Sequence, residues 1–137
     1  MAETGIEEEI EVSAERLWEL VGNFGYVPWI PGGDEAEVEG EGVGMVRSFL
    51  GGAVREQLES LDHEQRELGY TILEGLPVPV SNYRATMKVS PVGADSARLG
   101  WSCTFEPQGI PAEEAAEQIR ALYTTMIGWI KAQLGVA

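Results

Sequence analysis

The chain has 137 residues, 44% of them apolar and 23% charged, with 23 acids against 9 bases and a formal charge of -14. That length suits one domain with a core of its own, and so negative a surface repels phosphate backbones and anionic lipid, which excludes nucleic-acid binding and stable membrane insertion from the expected functions. One cysteine, Cys103, and one histidine, His63, provide neither an internal disulfide nor a Cys/His metal framework, so neither a metal nor another cofactor is expected.

The opening "MAETGIEEEIEV" has no basic stretch followed by an apolar one, so a cytoplasmic, reducing compartment is expected. Residues 6–12, "IEEEIEV", alternate as a strand. Ile6, Ile10 and Val12 take one face and Glu7, Glu9 and Glu11 the other, while Glu8 falls in the apolar phase and belongs near a rim. Ser13 is an N-cap with Glu15 in the first turn, opening a short helix that buries Leu17, Trp18 and Val21 and ends at Gly22 and Asn23. A second short helix is expected over 26–30, stopped by Pro31, Gly32 and Gly33. The stretch "LWELVGNFGYVPWIPG" carries Trp18, Phe24, Tyr26 and Trp29 across the break between the two helices. Connecting segments are usually polar, so this one is expected to cover part of the core.

Strands follow. "AEVEGEG" gives a weak acidic strand over 35–39, and "GMVRSFL" a stronger one over 44–50. Gly51 and Gly52 turn the chain into "AVREQLESLD". "ELGYTILEG", "SNYRATMKVSPV" and "ARLGWSCTFEP" complete the run. Tyr83, Ala85, Met87 and Val89 share one face of theirs, as do Leu99, Trp101, Cys103 and Phe105. The period then changes from two to three and four: Ile119, Leu122, Tyr123, Met126, Ile130 and Leu134 mark one helix over 111–134, with Pro111 at its start, Glu113 and Glu114 in its first turn and Gly135 after its end. Its outer face is expected to carry Glu113, Glu117, Arg120 and Lys131. Segregated helices and strands mean an α+β fold. A twisted seven-stranded sheet curls, and the long helix is the candidate to cover its concave face, leaving a cavity where a ligand fits.

The order and spacing of "IEVSAERLWELVGNFGYVPWIPG", "GMVRSF", "VREQLESLD", "GYTILEG", "SNYRATMKV" and "LGWSCTFEP", with the long last helix, resemble the START-like (SRPBCC) superfamily. That superfamily includes polyketide cyclase/dehydrase and lipid-transport proteins, the Bet v 1-like allergens and the plant abscisic-acid receptors. The resemblance covers nearly the whole chain and implies a single START-like ligand-binding domain, residues 1–137, with the helix-grip fold: a curved seven-stranded antiparallel sheet around a long C-terminal helix, with two short helices after strand 1. In such proteins the short helices plug one end of the cavity, a role that falls here to Phe24, Tyr26 and Trp29. Resemblance to the receptors implies pocket positions at Glu56 and Tyr83. The receptors' gate and latch strings are replaced by "FLGGAV" and "EGLPVPV", and no Lys or Arg stands between Tyr26 and Val46, which argues against receptor function of that kind.

Strand phase sets Glu56 beside Val54 and Leu58, and Arg47 beside Met45 and Phe49, so both can reach inward. Glu56 is then either a ligand anchor, a general base, or half of an ion pair with Arg47 or Arg84. The expected lining is Trp29, Arg47, Phe49, Glu56, Leu58, Tyr83, Met87, Trp101, Tyr123 and Met126; His63 is expected in a solvated turn. Three readings follow in order. The first is a binder or carrier of a small apolar or aromatic, lipid- or polyketide-like molecule. The second is a cyclase- or dehydratase-type enzyme without metal or nucleotide, using Glu56 and Tyr83 as catalytic acid and base. The third is a protein-interaction module. A monomer or weak dimer fits all three.

Overall fold

A computed structural model describes residues 1–137, the side chain of Asp34 apart. Its elements are β1 (Ala2–Ile10), α1 (Ala14–Val21), β2 (Glu37–Glu39), β3 (Val46–Phe49), β4 (Val54–Asp62), β5 (Glu67–Glu74), β6 (Val80–Gly93), β7 (Ser96–Pro107) and α2 (Ala112–Leu134). The seven strands form one antiparallel sheet in the order β1-β7-β6-β5-β4-β3-β2. Every pairing but one joins strands consecutive in the chain. The exception brings β1 beside β7, with Ala2 opposite Phe105 and Ile10 opposite Ala97. That pairing starts β1 four residues earlier than the alternation alone suggests, because "AET" has a partner strand to bond.

α1 begins where expected: the Ser13 side chain accepts from the Arg16 amide at 3.2 Å, and Leu17, Trp18 and Val21 are buried. The second short helix over 26–30 is not formed. The segment is a chain of single turns closed by Tyr26 N–H to Asn23 O, Ile30 N–H to Val27 O and Gly33 N–H to Ile30 O, followed by a 3₁₀ turn at Gly33–Glu35. Pro28 and Pro31 supply no N–H and forbid longer helical runs. The covering role survives the change: Phe24, Val27 and Trp29 are buried. Tyr26 does not take part, being 59% exposed.

Gly33 holds this cover down. A Cβ there would clash with the Val27 carbonyl oxygen, well inside van der Waals contact, and press against the Ile30 side chain. Gly33→Ala should therefore push the turn outward and destabilise the protein by about 1–3 kcal/mol. Urea denaturation checks this; an unchanged midpoint would mean the turn is not tied to the core.

α2 runs along β1 and β7. Its buried face is Ala115, Ala116, Ile119, Tyr123, Ile127, Ile130 and Leu134. Ile127 takes the place expected of Leu122, and Met126 lies on the half-buried flank. Burying Ile119, Ile127, Ile130 and Leu134 contributes roughly 6–12 kcal/mol as an upper bound. Arg120 and Lys131 do not simply face water. Arg120 donates to Thr4 Oγ1 at 2.8 Å, and Lys131 pairs with Glu8, the glutamate in the apolar phase of β1. The pair answers why a carboxylate sits on that face: it clamps the edge strand to the end of α2. No helix among the described residues is long and apolar enough to cross a membrane.

Candidate functional site

The hairpin of β3 and β4 sets Arg47 directly opposite Glu56, with Phe49 opposite Val54 at its closed end. Both charged side chains point inward and are buried, Arg47 to 3% exposure and Glu56 to 7%. Arg47 Nε donates to Glu56 Oε1 at 2.8 Å, and a terminal guanidinium nitrogen donates to the Phe24 carbonyl at 3.1 Å. The guanidinium carbon also stands 3.9 Å from the centre of the Phe24 ring and 5.7 Å from those of Phe49 and Tyr70, a favourable cation–π stack in a water-poor setting. Arg84, the other proposed partner of Glu56, is on the opposite face, 3.7 Å from Glu59.

From this pair a line of polar groups crosses the core. Tyr70 is next, packed between Phe24 and Tyr83 at ring separations of 6.0 and 6.3 Å. Its hydroxyl accepts from Trp101 Nε1 at 3.1 Å. Tyr83 and Tyr123 then share a short hydroxyl–hydroxyl contact, and Cys103 lies against Tyr123. Burial pushes all three tyrosine hydroxyls far above their ordinary 10.0. At Tyr70 the Glu56 carboxylate adds to the effect, and at Tyr83 the neighbouring Tyr70 and Tyr123 do. The Cys103 thiol is raised as well, again chiefly by burial. These groups hold their protons, so they can donate hydrogen bonds but release a proton reluctantly and do not serve as bases.

Of the side chains expected to line a cavity, Trp29, Arg47, Phe49, Glu56, Leu58, Tyr83, Met87, Trp101 and Tyr123 are all buried, and Met126 stays on the flank of α2. Several meet directly. Trp101 stacks on Tyr123 at 4.7 Å and 14°, Trp29 stands edge-on to Trp101 at 6.3 Å, and Met87 pairs in register with Trp101. Trp29 Nε1 is buried with no hydrogen-bond partner among the described residues. Tyr70 was missed by the sequence reading, although its alternation with Leu68 and Ile72 carried the signal.

Two open depressions are present; neither is lined by α2, as the expected cavity would be, and of the expected lining only Trp101 borders the first and Leu58 the second. One, about 930 Å³, is a shallow trough on the outer face of the sheet, with Gly5, Gly100 and Ser102 in its floor and Glu7, Glu67, Arg84 and Lys88 around it. The other, about 360 Å³, sits beside the end of α1 and is lined by Trp18, Phe24, Met45, Leu58, Leu61 and His63 among others. His63 is in a turn as expected, but it is engaged: Trp18 Nε1 donates to its Nδ1 at 3.0 Å. Among the described residues no group of His, Cys, Asp and Glu is placed to hold a metal ion.

A family model for polyketide cyclase/dehydrase and lipid transport matches residues 1–135. Among solved structures, an uncharacterised protein of Bacillus thuringiensis is similar at 27% identity and a TM-score of 0.80, over 96% of this chain and 98% of its own. XoxI of Bacillus cereus is similar at 27% identity and a TM-score of 0.79, over 97% and 95%. Norcoclaurine synthase of Thalictrum flavum, solved in complex with dopamine and hydroxybenzaldehyde, shares the fold at 23% identity and a TM-score of 0.72, over 97% and 86%. No curated protein matches in sequence.

Proposed function

Since the chain belongs to the polyketide cyclase/dehydrase and lipid-transport family, we propose that it binds a small apolar or aromatic molecule in the core between the sheet and α2. The observation that carries this reading is the line of polar groups through that core: Arg47 and Glu56, then Tyr70, then Tyr83 with Tyr123. Stability alone does not call for it, because a buried ion pair can often be replaced by apolar side chains at no loss. Polar groups inside an apolar shell orient a ligand. The buried N–H of Trp29 has no partner and adds a donor that an acceptor could satisfy, so the ligand is a ring system or lipid-like body bearing a carbonyl or hydroxyl oxygen.

The cyclase- or dehydratase-type alternative finds support in one residue. Tyr83 keeps its proton and can donate a hydrogen bond to a substrate oxygen, but burial makes that proton hard to release, and Glu56 would have to leave Arg47 before acting as a base. Binding is therefore the reading preferred.

Titration with 1-naphthol, followed by tryptophan fluorescence, tests it. Saturable binding is expected, and Tyr83→Phe should weaken it about fivefold, the worth of one hydrogen bond of about 1 kcal/mol. Naphthalene, lacking the hydroxyl, should bind both proteins alike. If neither compound saturates the protein, the reading falls.

A further inference from the structure

The inward ladder of the β3–β4 hairpin continues one step past the ion pair. Beyond Arg47 and Glu56, at the hairpin's open end, come Met45 and Leu58, tied by the Leu58 amide donating to the Met45 carbonyl at 2.9 Å. Met45 and Leu58 are walls of the 360 Å³ depression beside α1. Phe24 is another of its walls, and the guanidinium of Arg47 lies 3.9 Å from the centre of the same ring. One phenyl ring thus separates an open apolar pocket from the buried ion pair. Gly22, Gly25 and Gly42 also line it and add no side chains. A Cβ on Gly25 would already stand 3.1 Å from the Met45 sulfur.

We propose that this pocket is a docking site for a neutral single-ring aromatic molecule bearing an oxygen, and that it is the mouth of the core site, with Phe24 as the gate. The volume suits such a molecule and is too small for a protein segment of any length. Trp18 and Phe24 offer ring surfaces, while Met45, Leu58 and Leu61 offer aliphatic ones. The polar members are Glu19, Asn23 and His63. Because the His63 Nδ1 accepts from Trp18, the proton of the neutral ring sits on Nε2, which leaves a donor for a phenol or carbonyl oxygen. Glu19 on the lining and the charge of -14 select against a carboxylate ligand. Exposed Val43 and half-exposed Val38 extend the apolar surface near it, Val38 standing 3.8 Å from where a Gly25 Cβ would sit. Rotation of Phe24 away from Arg47 would open the way inward.

The mouth role rests on the core-binding reading; the docking site does not. In a p-cresol titration of the intact chain, the amide resonances of Gly22, Gly25 and Gly42 should shift saturably, together with Trp18 emission. Met45→Trp fills the pocket and should abolish these shifts. Leu61→Phe, a milder filling, should weaken them, and it serves if the first variant folds poorly. Each variant should also slow 1-naphthol association and dissociation together, Met45→Trp by tenfold or more, while leaving the equilibrium affinity within about twofold, as a blocked route requires. Absent shifts, or shifts confined to α2 and Trp101, would overturn the docking site. Unchanged 1-naphthol rates in both variants would overturn the mouth. If 1-naphthol fails to bind the unaltered protein, the core reading and the mouth fall together, and the p-cresol shifts still decide the pocket.

Discussion

Arg47→Met should destabilise the protein by about 3–5 kcal/mol, the range for removing one partner of a buried ion pair. Methionine keeps most of the volume, so the loss comes from charge and hydrogen bonds rather than from a cavity. Glu56, 7% exposed, is left with a carboxylate whose Nε partner at 2.8 Å is gone, and the Phe24 carbonyl loses its donor at 3.1 Å. The double variant Arg47→Met/Glu56→Leu removes both charges and should recover most of the stability. Glu56→Gln should fall between, because the amide still offers Arg47 an oxygen but no countercharge. Urea denaturation of the four proteins forms the test. A single variant as stable as the parent would mean the pair is hydrated and its burial has no energetic content. A double variant that folds well but no longer binds 1-naphthol would assign the pair to the ligand.

The face on which Arg47 and Glu56 lie was legible from alternation alone; their pairing was legible too, though less directly. Gly51 and Gly52 sit at the centre of the hairpin, so residues equally far from them meet, and Arg47 meets Glu56. Alternation equally placed Tyr83, Met87 and Trp101 inward, and the change of period marked α2 to within a residue. The aromatic run after α1 announced a cover but not its form, because apolar content is indifferent to helix or turn while the prolines are not. Contacts between distant parts of the chain left no local trace. Trp18 and His63 are 45 residues apart, and nothing in the string around either one names the other. The charge clamp of Glu8 and Lys131 was half visible, as a carboxylate in the wrong phase with no partner in view.

Raising the pH should unfold this protein steeply, beginning near pH 10. Tyr70, Tyr83 and Tyr123 have an ordinary value of 10.0 when exposed and are driven far above it in the fold, first by burial. Below pH 10 both states hold these three protons, so the full stability is present. Above it the unfolded chain releases them while the folded chain keeps them. The unfolded state then binds fewer protons, and stability falls as pH rises. Each tyrosine contributes a slope of about 1.4 kcal/mol per pH unit once its exposed form is ionised, so three give about 4 kcal/mol per unit. Against a total of about 5–15 kcal/mol, such a slope removes the fold within a few units of pH 10. Phenolate absorbance of the three should therefore appear together with the loss of far-ultraviolet ellipticity, in one cooperative step. Tyr83→Phe should lower the slope by about a third even if it also shifts the midpoint, since one proton fewer is released. Three phenolates forming gradually, with ellipticity unchanged, would mean that hydroxide reaches the line from Arg47 to Tyr123 in the folded state. The core would then be open to water, and its polar groups would need no ligand to explain them.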